Sequence, residues 1–95
     1  MLRSVIRAFL SDMEEHLARI RVCFSSGSDV SGVIIEAYNI MGSAGNIGAE
    51  TMSGLAAKLD MAIRGGHKKH AFELAIRLER EFKELQKILR DSGWL

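Results

Sequence analysis

The chain has 95 residues, of which 47% are hydrophobic and 26% are charged, so it is long enough for one domain and too apolar for a disordered chain. Thirteen basic and twelve acidic side chains leave a formal charge of +1, which predicts no strong attraction to nucleic acid or to an anionic membrane. The single cysteine, Cys23, cannot form an internal disulfide, proline is absent, and no apolar run approaches the roughly 20 residues of a membrane span. We therefore expect one helical domain over residues 1–95, located in the cytoplasm.

The first predicted helix runs from about residue 2 to residue 24. Its apolar residues recur at alternating steps of four and three, which is the spacing of one helix face. That face consists of Ile6, Leu10, Met13, Leu17, Ile20 and Phe24. Cys23 is expected to pack, or half-pack, beside it as a small apolar side chain. The helix should end in the serine and glycine cluster at residues 25–28.

The second predicted helix begins at Ser28 or Asp29, because a short side-chain oxygen at a helix start accepts a hydrogen bond from an otherwise unpaired N–H. Its core face is predicted to be Val33, Ala37, Ile40, Ala44 and Ile47. Gly42, Gly45 and Gly48 then interrupt the segment, and each costs up to about 1 kcal/mol relative to alanine in a helix. Glycines retained at that cost indicate close packing or the close approach of a partner. We expect a bend or break at residues 46–48.

The third and fourth helices are predicted at about residues 49–64 and 67–92. Gly65 and Gly66 should end the third, and Gly93 should end the fourth. The two inner faces are expected to be Met52, Leu55, Leu59 and Ala62 or Ile63, and then Ala71, Ala75, Leu78, Phe82, Leu85 and Leu89. The outer face of the fourth helix should carry the i,i+4 pairs Arg77 with Glu81, Glu79 with Lys83, and Arg80 with Glu84. Four such helices with short connections predict an all-α, antiparallel up-down four-helix bundle.

Residues 36–49 carry the most specific signal. Their sequence, Glu-Ala-Tyr-Asn-Ile-Met-Gly-Ser-Ala-Gly-Asn-Ile-Gly-Ala, resembles the histidine phosphotransfer (HPt) domain signature, which reads roughly Ala-His-x-Leu-Lys-Gly-Ser-Ala-x-x-Leu-Gly-Ala. The matching residues are Ala37, Gly42, Ser43, Ala44, Gly48 and Ala49, while Ile40 and Ile47 replace leucines. A Leu-x-x-Lys-Leu-Asp stretch at residues 55–60, a Gly-Gly turn and a long final helix extend the likeness over nearly the whole chain. The resemblance implies an HPt-type bundle that works in bacterial two-component, or phosphorelay, signalling.

Two departures from that signature bear on function. The family's phosphoacceptor histidine falls on Tyr38, and its lysine falls on Met41. A phenol needs an adjacent base to become a nucleophile, and no base is evident beside Tyr38. Methionine cannot neutralise the charge of a phosphoryl group, which is the usual contribution of the lysine. The resemblance therefore implies a degenerate member that does not carry phosphate and is not an enzyme.

A partner-binding surface is expected to remain. Ile34, Tyr38, Met41, Gly42 and Gly45 share a helix face distinct from the core face. In the family, the region around the acceptor meets the receiver domain of a response regulator. The resemblance thus implies a receiver domain or a histidine kinase as partner, and the apolar character of this face fits an interface. No cofactor is predicted.

Three histidines leave alternatives open. His67 and His70 are spaced for one helix face, but no cysteine or carboxylate cluster completes a metal site, so a solvated helix start is the ordinary interpretation. His16 lies on the edge of the first apolar face and is interpreted as a boundary residue. One alternative is an active phosphotransfer protein that uses one of these histidines. Another is a scaffold that self-associates, for example as a homodimer, through the face around Tyr38.

Overall fold

The computed structural model describes residues 2–26 and 30–94, which form four α-helices joined by short turns. The helices are α1 (Leu2–Ser26), α2 (Gly32–Asn46), α3 (Glu50–Arg64) and α4 (Lys68–Asp91). Each helix packs against the next along the chain, and α4 also packs against α1 to close the bundle. The predicted all-α, up-down four-helix bundle is confirmed.

The inward faces of the helices form one continuous core. Its fully buried members include Met13, Ile20, Val33, Ile40, Leu59, Leu74 and Leu78. The apolar spacing predicted nearly all of the core, but it missed Ala56 and Leu74. Phe24, Leu85 and Leu89 are only half-buried. Leu85 and Leu89 lie near the end of α4. The helices α1 and α4 have 25 and 24 residues, whereas α2 and α3 have 15 each, so the long helices extend beyond the short ones.

Glycines end α2, α3 and α4 in the same way. Gly48, Gly66 and Gly93 have φ values of 82°, 77° and 81°, the left-handed region that glycine adopts without strain. In each case the next residue donates its N–H back to a carbonyl five residues earlier, as Ala49 does to Ala44 at 2.8 Å. This is the Schellman arrangement, which satisfies the last carbonyls of a helix. The predicted stops at these glycines are therefore confirmed.

The C-terminal end of α2 differs from its prediction. Ile47 was predicted in the core, but it is 39% exposed. The reason is that α2 ends at Asn46, and Ile47 occupies the cap position, directly before the chain turns away at Gly48. The predicted capping residues Ser28 and Asp29 lie outside the described residues. The helix itself begins at Gly32, after Ser31.

The predicted charge pairs along α4 are absent from the ion pairs of the described residues. Glu79 is instead bound by Arg21 of α1, with Nε and Oε1 2.7 Å apart. Glu79 lies beside the seam between α1 and α4 and is 29% exposed, so the cross-helix partner is closer than one on the same helix. Gln86 and Glu14 add a second polar contact across this seam at 3.3 Å. Within the described ranges, none of the helices has the length and apolar character needed to cross a membrane.

Candidate partner-binding face

Tyr38 lies in the middle of α2 and points into solvent. Its side chain is 66% exposed. Among residues 2–26 and 30–94, no side chain or backbone group hydrogen-bonds to its hydroxyl, and no aromatic ring stacks on it. The phenol therefore has no base in contact that would make it a nucleophile.

The other residues of the predicted face divide into two groups. Gly42 and Gly45 are exposed, whereas Ile34 and Met41 are half-buried and Met41 packs against the core. The backbone carbonyl of Met41 accepts a hydrogen bond from Ser53 Oγ of α3 at 3.0 Å. This side of α2 is therefore turned towards α3, and Tyr38, Gly42 and Gly45 are the exposed residues of the predicted face.

Gly42 is not required by packing within the chain. A β-carbon added there would meet nothing within 4 Å, and one added at Gly45 would lie 3.6 Å from Ser53 Oγ, an ordinary van der Waals contact. Both glycines nevertheless weaken the helix relative to alanine. This geometry excludes close packing within the chain as the explanation for Gly42.

Sequence reasoning missed two of the most exposed apolar side chains near this face. Ile35 on α2 and Val22 on α1 are each 66% exposed. They flank an open groove between the two helices, of about 490 Å³, which is also lined by Ala18, Arg19, Cys23, Gly32 and Glu36. Both had been left outside the apolar faces of their own helices. Only the position of the neighbouring helix shows that they lie on one surface.

The exposed side of α2 carries no charge. Glu36 is the single charged residue among the 15 of this helix, and it is buried, with 7% of its surface exposed. Residue 41, where the resemblance places a lysine, is a half-buried methionine. The exposed side of α2 is therefore uncharged and partly apolar, a composition that is common in protein–protein interfaces.

Glu36 is paired with α1. His16 Nδ1 lies 2.9 Å from Glu36 Oε1, and Arg19 Nη1 lies 3.4 Å from the same oxygen. His16 is half-buried, as expected for a residue at the edge of the core. The spacing along each helix could not reveal this pair, since it depends on how α1 and α2 align.

The remaining histidines, His67 and His70, lie exposed at the start of α4, next to Lys68 and Lys69. Cys23 is half-buried, in agreement with its predicted role as a small apolar side chain. In the part of the chain that the structure describes, no group of three or more histidine, cysteine, aspartate or glutamate side chains is arranged to hold a metal ion.

Comparison with known proteins identifies the family. A family model described as Hpt domain matches residues 4–88, so this chain belongs to the Hpt domain family. It is also similar to the phosphorelay intermediate protein rdeA of Dictyostelium discoideum, at 26% identity over 87 residues, or 92% of this chain. The chain spans only about a third (34%) of the length of that relative. No solved structure matches it.

Proposed function

We propose that this chain is a phosphorelay signalling module that binds a receiver domain or a histidine kinase through the α2 face around Tyr38, without carrying phosphate. Membership of the Hpt family supports the signalling role, because Hpt domains are phosphotransfer modules that work between such partners. The similarity to a phosphorelay intermediate protein supports it as well. The finer claim rests on one observation: an exposed phenol, with no base in contact, stands at the acceptor position.

The chemistry of the acceptor explains why this substitution matters. A phosphohistidine is a reactive phosphoramidate, so a histidine can both take and return a phosphoryl group. A phosphotyrosine ester is too stable to return it. Met41 also lacks the positive charge that would stabilise phosphoryl oxygens during transfer.

Binding would survive the loss of transfer. The exposed side of α2 has no charge to desolvate, and Gly42 leaves room for a partner's backbone. A module of this kind could sequester a receiver, compete with an active Hpt protein, or hold a receiver in one conformation. The last effect requires that it bind one state more tightly than the other.

A phosphotransfer assay tests the claim that the chain does not carry phosphate. The chain is incubated with each phosphorylated receiver domain of the source organism, and acid-labile and acid-stable phosphate are measured separately. We expect neither on the wild type, and none on the matched variant Tyr38→Phe. The double variant Tyr38→His with Met41→Lys should gain acid-labile phosphate if the rest of the site is intact. Acid-stable phosphate on the wild type that Tyr38→Phe abolishes would contradict the proposal.

A second candidate function is phosphotransfer through another histidine. Exposure favours His67 and His70, which stand beside two lysines. His16 is less suited, because its Nδ1 is bound to Glu36. Acid-labile phosphate on the wild type that disappears in His67→Gln or His70→Gln would establish this function and overturn the first.

A further inference from the structure

A second apolar groove, of about 290 Å³, lies on the side of the bundle formed by α1 and α4. Its floor includes the buried core side chains Leu17 and Ile20. Phe24 of α1 and Phe72 of α4 line it with their rings edge to face, 5.4 Å apart between centroids. Ile76, one turn further along α4, lines it as well. The edge-to-face contact orders the two rings, so the groove is already formed in the free chain.

The core of α4 does not require Phe72 or Ile76. They are 49% and 44% exposed. Both lie outside the buried face of the helix, which consists of Ala71, Leu74, Ala75, Leu78 and Phe82. Apart from these two and Ile88, every exposed residue of α4 is charged or a histidine. Two large apolar side chains beside an apolar groove, on an otherwise charged helix surface, indicate an interface.

Three cations stand next to the groove wall on α4. Lys68 and Lys69 precede Phe72 by four and three residues, which places them on the same side of the helix. Arg80 follows Ile76 by four residues and is a neighbour in the same way. All three are exposed, and none takes part in an ion pair with another described residue. Their charges are therefore available to a partner.

Negative charge near the groove is already neutralised or directed elsewhere. Among the described lining residues Glu79 is the one carboxylate, and Arg21 binds it with Nε and Oε1 2.7 Å apart. Glu73 follows Phe72 directly and so projects about 100° away from it. The first turn of α4 contains no acidic residue and no side chain caps it, so the positive end of the helix dipole adds to the field. This surface therefore attracts an acidic partner and repels a basic one.

We propose that the α1–α4 groove binds an acidic segment of a partner protein. The segment inserts a large apolar side chain into the groove and pairs its carboxylates with Lys68, Lys69 and Arg80. A short amphipathic helix supplies both parts, because apolar residues at steps of three and four leave its other side free for glutamate and aspartate. The concave shape suits a side chain better than the flat surface of a membrane.

This surface is separate from the face proposed to meet a receiver or kinase. The helices pack in the order α1, α2, α3 and α4, with α4 against α1. The α1–α4 side is therefore opposite the α2–α3 side, towards which the face around Tyr38 is turned. The inference does not depend on the proposed function, and a chain with both surfaces can hold two partners at once.

A designed peptide tests the chemistry of the partner. The probe has about 15 residues, with leucine at steps of three and four and glutamate elsewhere, because shorter isolated helices are marginal in water. We expect it to bind the wild-type chain with a Kd below about 1 mM, and at least tenfold more weakly when lysine replaces every glutamate or serine replaces every leucine. Binding should also weaken as salt is raised from about 0.1 M to about 1 M, because the charges are exposed. NMR titration measures the affinity and shows which residues respond.

Apolar variants test the groove itself. Phe72→Ser should weaken binding of the acidic peptide about tenfold or more. Ile76→Ser should weaken it as well and leaves the contact between Phe24 and Phe72 intact, so the test does not depend on one variant. Met61→Ser, at a 70% exposed position on α3, is the matched control and should leave the affinity unchanged.

Charge variants test the cationic rim. Lys68→Glu with Lys69→Glu should weaken binding about tenfold or more. Lys58→Glu with Lys87→Glu makes the same change in net charge at exposed positions on α3 and near the end of α4, and should weaken it less than about threefold because salt screens distant charges. Equal losses from the two double variants would show that net charge alone, and not this surface, attracts the peptide.

The remaining outcomes identify other occupants. No binding by the acidic peptide, or equal binding of its lysine version, overturns the proposal. Vesicles of phosphatidylcholine and phosphatidylserine in equal parts are tested beside it, and capture by vesicles without peptide binding would assign the surface to a membrane. Self-association that Phe72→Ser abolishes, without peptide binding, would assign it to a second copy. Tyr38→Arg should leave peptide binding unchanged, so this proposal and the proposed function fail separately.

Discussion

The imidazole of His16 on α1 lies 2.9 Å from the carboxylate of Glu36 on α2. This contact holds the inward side of α2 against α1. Residues two apart on a helix project about 200° from each other, so the rotation of α2 that buries Glu36 also turns Tyr38 outward. The pair thus links the packing of the bundle to the exposure of the candidate partner-binding face.

Removal of His16 should destabilise the fold. His16→Leu leaves Glu36 buried with Arg19 alone, at 3.4 Å, and we expect a loss of about 1–3 kcal/mol in the free energy of unfolding. The double variant His16→Leu with Glu36→Leu should recover part of this loss, because no buried charge remains. Urea denaturation measures the two single variants, His16→Leu and Glu36→Leu, and the double variant. Losses that add to within about 0.5 kcal/mol would show that the two residues are not coupled.

Two glycines on α2 and its turn should respond to alanine in opposite directions. Gly48→Ala forces a side chain into the left-handed region at φ 82° and should cost about 1–2 kcal/mol. Gly42→Ala places a methyl group in open space within a helix and should stabilise the fold by up to about 1 kcal/mol. The same denaturation experiment compares them. Destabilisation by Gly42→Ala would mean that the fold itself requires this glycine.

A larger side chain at the same position separates folding from binding. Gly42→Gln adds a good helix former on the exposed side of α2, so the free energy of unfolding should be unchanged or higher. Binding to the partner should weaken about tenfold or more, because the side chain blocks the close approach of a backbone. Calorimetric titration measures the affinity. Unchanged binding would place the interface away from Gly42.

The core should tolerate little change. Leu59 is fully buried on α3, and Leu59→Ala should lower the free energy of unfolding by about 2–4 kcal/mol. Met61→Ala, two residues away and 70% exposed, is the matched control and should change it by less than about 0.5 kcal/mol. Similar effects at the two positions would contradict the packing described for α3.

The core faces and helix ends could be predicted because they depend on local spacing. Apolar residues at steps of three and four must share a side of a helix, and Gly48, Gly66 and Gly93 readily adopt the left-handed turn that ends one. Ile47 kept the spacing but lay one residue beyond the helix, and the periodicity of side chains does not detect such an end. The end of the helix could therefore be predicted to within a few residues, but the burial of the last apolar residue in the pattern could not.

The candidate partner-binding face could be predicted only in part, because some of its residues come from two different helices. Tyr38 and the glycines were found through the resemblance to a signature. Val22 and Ile35 were missed because their common surface depends on the alignment of α1 with α2. The same is true of His16 and Glu36, and of Arg21 with Glu79, where the cross-helix partner replaced the predicted one on the same helix. Contacts between helices require the tertiary structure.

The most direct measurement of the central claim is a binding titration with matched variants. Purified receiver domains and kinases of the source organism are titrated with wild type, Tyr38→Arg and Met61→Arg, at a concentration where the chain is monomeric. We predict that at least one partner binds the wild type without transfer of phosphate, that Tyr38→Arg weakens it by about tenfold or more, and that Met61→Arg leaves it unchanged. Binding that is indifferent to Tyr38→Arg, or no binding by any receiver or kinase, would contradict the account.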